Sequence, residues 1–355
     1  MRSGFYAVML TLLLPGNALA LAEAPATLPS IDMAEFARKP LFIPGGAAGQ
    51  PVTFISHSPR DFEPMLAGDL GPAVTLNAQL FLPQDAKPNV PAIILVPGSA
   101  SVGPHHLEQT SALLRSGIAV MIIDPFSGRS VNNTIADQSQ FSWAASVYDV
   151  VAATRYLRSR PDIDSARIGA LGGSRGGTAV MMATLRPISD KLFGKNKGLK
   201  FVVAGYPWCG TQFKSSRLAA ETSLLVMSGD KDDWVSVQQC QAAVTALAAT
   251  GGKAEMRLVK DGLHAFDRKD VPPRRIAEAV TSTNFPIVYM TDTGSYFDLY
   301  SGKADTSLTS VDFTLRAAEG GFTHTGVTIG STGLQAKQYS DAIVEFFYGL
   351  KVVRK

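Results

Sequence analysis

The stretch Ile168-Gly-Ala-Leu-Gly-Gly-Ser-Arg-Gly-Gly177 decides how the rest of the sequence is interpreted. It begins as a short apolar strand and leads into a helical pattern over residues 178–185. Between the two, Gly172 to Gly176 fit G-x-S-x-G, a strand-to-helix turn so tight that the serine is strained and its Oγ exposed. Similar glycine-rich turns occur in nucleotide-binding folds, so a purely structural turn is the alternative. The position between a strand and a helix favours Ser174 as a nucleophile.

The composition indicates an ordinary soluble globular protein. The chain has 355 residues, enough for one large α/β domain or two small ones. Its formal net charge is only +3, and no run of Lys or Arg stands out. The sequence therefore lacks the basic surface that nucleic-acid binding requires, and we expect no nucleic-acid partner.

The N-terminus has the pattern of a signal peptide. Arg2 supplies a positive start, and residues 5–14 are apolar but too short to span a bilayer. Small residues around Ala20 offer a cleavage site, so residues 1–22 are predicted to direct export to the periplasm or beyond. An uncleaved anchor or a buried helix is the alternative. No later segment is predicted to cross a membrane, and residues 23–50, rich in Ala, Pro and Gly, are expected to form an exposed leader.

Strands and helices alternate through most of the remaining chain. Residues 91–96 and 118–124 are continuous apolar runs, typical of central strands covered on both faces. Residues 143–158 show the clearest helical periodicity. This alternation predicts an α/β fold with a mostly parallel sheet and helices on both faces. We expect residues 23–355 to form one domain, in which residues 270–337 break the alternation as an insertion or cap.

A serine hydroxyl needs a base within hydrogen-bond reach and a third group that orients the base. In hydrolases with this serine turn, the acid and then the histidine follow the serine in the chain. Asp232 lies in a loop after the predicted strand at residues 224–228, which makes it the favoured acid. Asp233 is the second choice, and Asp230 is expected to hold the turn through nearby amides.

Five histidines compete for the role of base, and His264 is favoured because it follows both the acid and a predicted strand. His324 is the main rival, since it lies in the unassigned segment. His57 precedes the serine in a peripheral stretch. His105 and His106 follow the glycine loop at residue 98 and are expected to border the pocket without acting as the base.

The developing oxyanion of an acyl-transfer reaction needs donors as well. The backbone N–H groups of Arg175 and Ser99 are predicted to supply them, with Ala100 as the alternative to Ser99. The Arg175 side chain is expected to meet an acidic substrate group or to form a salt bridge. Four aromatic residues in nearby loops either line a pocket or belong to ordinary packing. They are Phe126, Tyr206, Trp208 and Trp234.

The chain has two cysteines, Cys209 and Cys240. In an oxidising compartment they can pair, and we predict a disulfide that fixes two loops on the same side of the sheet. Two separate thiols are the alternative, because a sequence does not give the distance between Cα atoms.

With these residues in place, the chain resembles the dienelactone hydrolase family of the α/β-hydrolase superfamily, and in particular its exported members with a serine nucleophile. Five blocks in this order carry the resemblance: residues 91–98, 124–129, 160–177, 229–234 and 264–267. The resemblance covers about residues 70–268 and the closing helix, and it implies the α/β-hydrolase fold. Ser174 stands where the name-giving enzymes have cysteine, and Pro97 stands where a histidine is common.

The sequence thus leads to one main hypothesis and two alternatives. The main hypothesis is a serine hydrolase that cleaves a small-molecule carboxylic ester through an acyl-enzyme, without a metal or an organic cofactor. The first alternative is a serine peptidase that resembles the prolyl oligopeptidase family, whose catalytic domain has the same order of triad residues. The second is a binding protein that retains the fold without catalysis.

Overall fold

The computed structural model describes residues 28–84, 88–298 and 301–350. The signal peptide predicted for residues 1–22 lies outside the described residues. Within them, no helix is both long and apolar enough to span a lipid bilayer.

The first nine strands include every member of the large sheet. They are β1 (Gln50–His57), β2 (Ala73–Phe81), β3 (Val90–Val96), β4 (Ala119–Asp124), β5 (Ile163–Gly173), β6 (Phe201–Gly205), β7 (Thr211–Phe213), β8 (Ser223–Gly229) and β9 (Lys253–Val259). Shorter pairings follow in the last quarter of the chain. These strands are β10 (Arg274–Thr281), β11 (Val288–Met290), β12 (Tyr296–Phe297), β13 (Ala304–Asp305) and β14 (His324–Ile329).

Helices occupy most of the connections between the strands. They are α1 (Met33–Phe36), α2 (Phe62–Ala67), α3 (Pro104–Arg115), α4 (Trp143–Arg158), α5 (Arg175–Ala183), α6 (Arg186–Leu192), α7 (Val237–Ala249), α8 (Ser310–Glu319) and α9 (Gln335–Gly349). α5 begins three residues earlier than the sequence predicted. Gly176 and Gly177 have low helix propensity, which hid the first turn of this helix in the sequence.

Eight strands form the large sheet in the order β1-β2-β4-β3-β5-β6-β8-β9. β2 runs antiparallel to both of its neighbours, and the pairs from β4 to β9 are parallel. The predicted α/β fold with a mostly parallel sheet is therefore confirmed. Because parallel strands share one carboxyl edge, β5, β8 and β9 end close to one another, and the loops after them form the site described below.

The central strand β3 shows why the apolar runs are continuous. Ile94 and Val96 pack in the core on the face that carries α4 and α5. Ile93 and Leu95 point to the opposite face and pack in a second core with α3 and α9. Since both faces of the strand are covered, no position in this run is left for a polar side chain.

Residues 28–50 are not the exposed leader that the composition suggested. The short helix α1 buries Phe36 completely, and Ile43 also lies in the core with α3 and α9. The Gln79 side chain donates hydrogen bonds to the carbonyl groups of Phe36 and Lys39. The expectation was wrong because a few large apolar side chains anchor an otherwise small-residue segment, and composition averages over them.

Residues 270–337 contain elements that pair with distant parts of the chain. β10 pairs antiparallel with β14, and β11 pairs in parallel with β7 from the loop after β6. Asp61, the N-cap of α2, accepts hydrogen bonds from the Tyr296 hydroxyl at 2.9 Å and from the Ser310 amide at 2.6 Å. These contacts hold the segment on the body of the protein, and its interpretation as an insertion or cap stays a prediction.

The packing of α1 leads to a test of stability. Phe36→Ala is expected to lower the free energy of unfolding by about 3–5 kcal/mol, because it leaves a cavity under the sheet. Urea unfolding followed by circular dichroism measures the change. Phe42→Ala is the matched control: this phenylalanine of the same segment is 67% exposed, and its loss should cost less than about 0.5 kcal/mol. Equal effects of the two substitutions would contradict the packing described here.

Candidate active site

The serine turn between β5 and α5 is held in a conformation that few residues adopt. Ser174 has φ 53° and ψ −123°, outside the ordinary regions for an L-residue. The backbone around it is too crowded for side chains. A Cβ at Gly176 would lie 2.2 Å from the carbonyl oxygen of Val96, and one at Gly172 would lie 2.5 Å from the Gly176 carbonyl carbon. The two glycines thus let β5, α5 and the end of β3 approach one another.

Three side chains from the carboxyl edge of the sheet form one hydrogen-bonded series. His264 Nε2 lies 2.9 Å from Ser174 Oγ, and His264 Nδ1 lies 2.8 Å from Asp232 Oδ2. The histidine side chain is 2% exposed and that of the aspartate 0%. An ionised carboxylate only accepts, so it favours the tautomer with the proton on Nδ1. Nε2 is then left to accept a proton from the serine hydroxyl.

The acid loop after β8 is organised by Asp232 itself. Its Oδ1 accepts hydrogen bonds from the amides of Trp234 at 2.9 Å and Val235 at 3.0 Å. The sequence assigned this turn-holding role to Asp230, which is exposed. Asp233, the second choice for the acid, accepts a hydrogen bond from the Thr328 amide of β14 at 2.8 Å. The carboxylate of Asp232 therefore both shapes the loop and contacts His264.

The other histidines lie elsewhere. His324 is exposed on β14, and His57 packs its ring against Tyr148 from β1. His264 is instead enclosed by aromatic rings, with centroid distances of 4.8 Å to Tyr206 and 4.7 Å to Trp234. Of the histidines, the structure thus brings His264 to Ser174.

The loop after β3 lies directly against the serine turn. A Cβ at Gly98 would be 3.1 Å from both the Gly173 carbonyl oxygen and Ser174 Cβ. Ser99 is buried, its carbonyl accepts a hydrogen bond from the Thr134 amide, and its Oγ accepts one from Gln138 Nε2 at 3.0 Å. The two residues predicted to supply oxyanion donors, Ser99 and Arg175, therefore flank Ser174.

The Arg175 side chain neither forms a salt bridge nor points to a site for an acidic group, in contrast to both expectations. Its five N–H groups donate to oxygen atoms of Gln138, Phe141, Ser142 and Ser146. The guanidinium lies 4.2 Å from the ring centroid of Phe141 and 4.4 Å from that of Trp143. Burial is the main cause that lowers its pKa to about 9. The sequence could not reveal this because the acceptors are mostly backbone carbonyls.

Two cavities meet at Ser174. The larger has a volume of about 150 Å³ and a lining surface that is mainly apolar, and it includes both Trp208 and Trp234. The smaller has a volume of about 50 Å³ and includes Tyr206 and Trp234. Phe126 follows the alternative of ordinary packing: it lies against Phe141 in a separate buried cluster, with ring centroids 5.6 Å apart.

Buried ionisable groups surround the smaller cavity. Burial lowers the pKa of both His105 and His106, to about 3 for His106, and the charge of Arg268 adds to the effect. Burial also raises the pKa of Asp267, which accepts hydrogen bonds from the Tyr206 hydroxyl at 2.6 Å and from Gln109 Nε2 at 2.8 Å. The two imidazoles are therefore neutral at pH 7. The sequence placed the histidines near the pocket but did not reveal this network.

The predicted disulfide between Cys209 and Cys240 is present, with Cα atoms 5.0 Å apart. It connects the loop after β6 with α7. Thr178 Oγ1 accepts a hydrogen bond from the amide of Trp208, the residue before the bridge. The loop that carries this tryptophan is thus fixed at two neighbouring residues.

A family model matches the part of the chain that contains the site. The model of the prolyl oligopeptidase family matches residues 105–193 and 202–281, a little less than half of the chain. The matched ranges contain Ser174, Asp232 and His264. No curated protein sequence matches.

Several solved structures are similar to the chain. A protein named as a dienelactone hydrolase, from Klebsiella pneumoniae, is 18% identical with a TM-score of 0.46, over 61% of this chain and 89% of that one. Esterase 2 of Thermogutta terrifontis with bound propionate is 14% identical with a TM-score of 0.49, over 79% and 92%. A promiscuous phosphotriesterase from metagenomic libraries, described as dienelactone hydrolase-like, is 14% identical with a TM-score of 0.45, over 63% and 86%.

Dienelactone hydrolase-like proteins are therefore among the solved structures that the chain resembles, as its motifs predicted, and at these identities the likeness concerns the fold. The family match supports a hydrolase of the serine type. The order and direction of the strands in the large sheet are consistent with the α/β-hydrolase fold.

Proposed function

We propose that the protein hydrolyses carboxylic esters through an acyl-enzyme, with Ser174 as nucleophile, His264 as general base and Asp232 as the group that orients the base. The observation that carries the proposal is the pair of hydrogen bonds of 2.9 Å and 2.8 Å that joins these three side chains. A serine hydroxyl in such an arrangement can lose its proton as it attacks.

In the proposed reaction, Ser174 Oγ attacks the ester carbonyl while its proton moves to His264 Nε2. The C=O π electrons move to the oxygen, and the imidazolium that forms is stabilised by the carboxylate of Asp232. When the tetrahedral intermediate collapses, the C–O bond to the alcohol breaks and Nε2 returns the proton to it. A water molecule then attacks the acyl-enzyme by the same steps, which release the acid and restore the serine.

The proposed oxyanion donors are the backbone N–H groups of Ser99 and Arg175. The close approach of the Gly98 loop to Ser174 supports the first of them. The second is the first residue of α5, where amides point out of the helix and the helix dipole favours negative charge. Loss of one such donor typically lowers turnover by about 100- to 1000-fold.

The match to the prolyl oligopeptidase family favours a second candidate, a serine peptidase. The larger cavity gives more support to an ester. Among its described lining residues Arg175 is the one with a charged side chain, and all five of its N–H groups are engaged. A peptide with a free amino group would find no carboxylate there, and burying an unpaired charge is costly.

Export to the periplasm or the extracellular space is part of the proposal. The Cys209–Cys240 disulfide supports it, because such bonds form and persist in oxidising compartments. The signal-peptide pattern in residues 1–22 points the same way.

The choice between ester, peptide and no reaction can be tested directly. We expect hydrolysis of p-nitrophenyl acetate, little or none of a chromogenic dipeptide, and loss of the ester activity in Ser174→Ala. A fluorophosphonate probe should label the native protein at Ser174, as mapped by mass spectrometry. Peptide turnover above ester turnover would favour the peptidase. Absence of both labelling and turnover would favour a binding protein.

The assignment of the acid has a matched control one residue away. Asp232→Asn is expected to lower kcat by on the order of 10⁴-fold, because the amide favours the wrong tautomer of the histidine. Asp233→Asn removes an equal charge from the same loop and should change kcat by less than about threefold. Steady-state kinetics on one ester measures both variants. A larger loss in Asp233→Asn would reverse the assignment.

A further inference from the structure

The larger cavity is built from two different parts of the chain. One wall comes from the body of the protein, where the rings of Trp143 and Trp208 stack with centroids 4.9 Å apart at an angle of 21°. The facing wall comes from residues 280–298 and 301–323 and includes Phe285 and Phe313. A cavity of about 150 Å³ with apolar walls is large enough for a benzene ring.

The tryptophan wall is rigid. The Arg175 guanidinium lies over the ring of Trp143, which in turn stacks on Trp208. Thr178 Oγ1 hydrogen-bonds to the amide and the carbonyl of Trp208, and the disulfide fixes the residue after it. A flat, rigid aromatic surface favours offset or edge contact with another ring.

The facing wall depends on α8 and its anchor. Phe313 and Ala317 of this helix are buried and line the cavity. The helix begins at Ser310, whose amide donates to the buried carboxylate of Asp61, and Tyr296 donates to the same carboxylate. Asp61 therefore ties the start of α8 and Tyr296, both of which contribute to this wall, to the start of α2.

The polar groups of the cavity are neutral or already engaged. The Arg175 guanidinium has no N–H left for a ligand, as described above. The remaining polar lining consists of hydroxyl and amide groups, such as those of Thr281, Ser282 and Thr314. These groups can bond an ether or hydroxyl substituent, but they cannot compensate a buried carboxylate or ammonium.

We infer that the larger cavity binds an uncharged aromatic ring of the ester substrate, with Phe313 and the Trp143–Trp208 pair as the residues that select it. The inference rests on the proposed function, since it names the class of ester that Ser174 would attack. The ring belongs to the acyl or to the alcohol part of the ester. Both parts are tested below.

A binding experiment examines the cavity without relying on catalysis. The chain has three tryptophans, Trp143, Trp208 and Trp234, and all of them line this cavity. Intrinsic tryptophan fluorescence therefore reports its occupancy. We expect benzyl methyl ether to bind at least about tenfold more tightly than phenylacetate, which has the same ring and a charge, or than butyl methyl ether, which has no ring. Equal or tighter binding of phenylacetate would overturn the inference.

Substitutions on α8 test whether the ether binds in the larger cavity. Phe313→Ala should weaken the binding of benzyl methyl ether by about tenfold. Phe313→Leu, which retains most of the packing volume, should weaken it less and guards against a folding defect. Val311→Ala is the control on the same helix, because Val311 is 53% exposed and does not belong to the lining of the cavity. An equal effect of Val311→Ala and Phe313→Ala would contradict the role given to Phe313.

Ester kinetics then separates this inference from the proposed function. Methyl phenylacetate is compared with its 4-carboxy derivative, and benzyl acetate with 4-carboxybenzyl acetate. In at least one pair the neutral ester should have a kcat/KM at least about 100-fold higher. Hydrolysis of both members of each pair at equal rates would leave the esterase intact and refute the cavity's selectivity. Selective binding of the ether without turnover of any ester would refute the esterase alone.

Discussion

The site depends on the crowded backbone at the serine turn. Ser174 occupies an unusual conformation, and such strain persists only where the surroundings determine it fully. Here the surroundings are the end of β3, the end of β5 and the first turn of α5, which approach so closely that Gly172 and Gly176 have no room for a side chain. The same approach places the Gly98 loop beside the serine. The position of the hydroxyl and that of the predicted oxyanion donors thus have a common cause.

The features that the sequence predicted well are those encoded over short distances. Ser174 is in a five-residue motif, and the loops of Asp232 and His264 each follow a strand with an apolar pattern. The mostly parallel direction of the strands follows from the alternation of strands and helices, whereas the order of the strands in the sheet was not predicted. The disulfide was predictable as a possibility, because both cysteines lie in or after loops at one edge of the sheet.

The features that the sequence did not reveal depend on contacts between distant segments. Phe36 is buried where α1 packs on β2, in a core that also contains residues of α3 and α9, so the Ala, Pro and Gly content around it gave the wrong impression. The guanidinium of Arg175 donates hydrogen bonds to backbone carbonyl groups of a loop. Every residue has such a carbonyl group, so no residue type in the sequence indicates these acceptors. The wall that contains Phe313 is hydrogen-bonded through Ser310 to Asp61, about 250 residues earlier in the chain. Pairings of this kind follow no local periodicity.

The disulfide has a consequence for the integrity of the protein. Cys209 and Cys240 are 31 residues apart, and the segment between them includes β8 and the loop of Asp232. A proteolytic cut at any peptide bond within this segment would leave the two fragments covalently joined. In denaturing electrophoresis, a protein molecule cleaved once within this segment would migrate as a single band until a reductant breaks the disulfide. The acid loop can therefore be cleaved without releasing either half of the sheet.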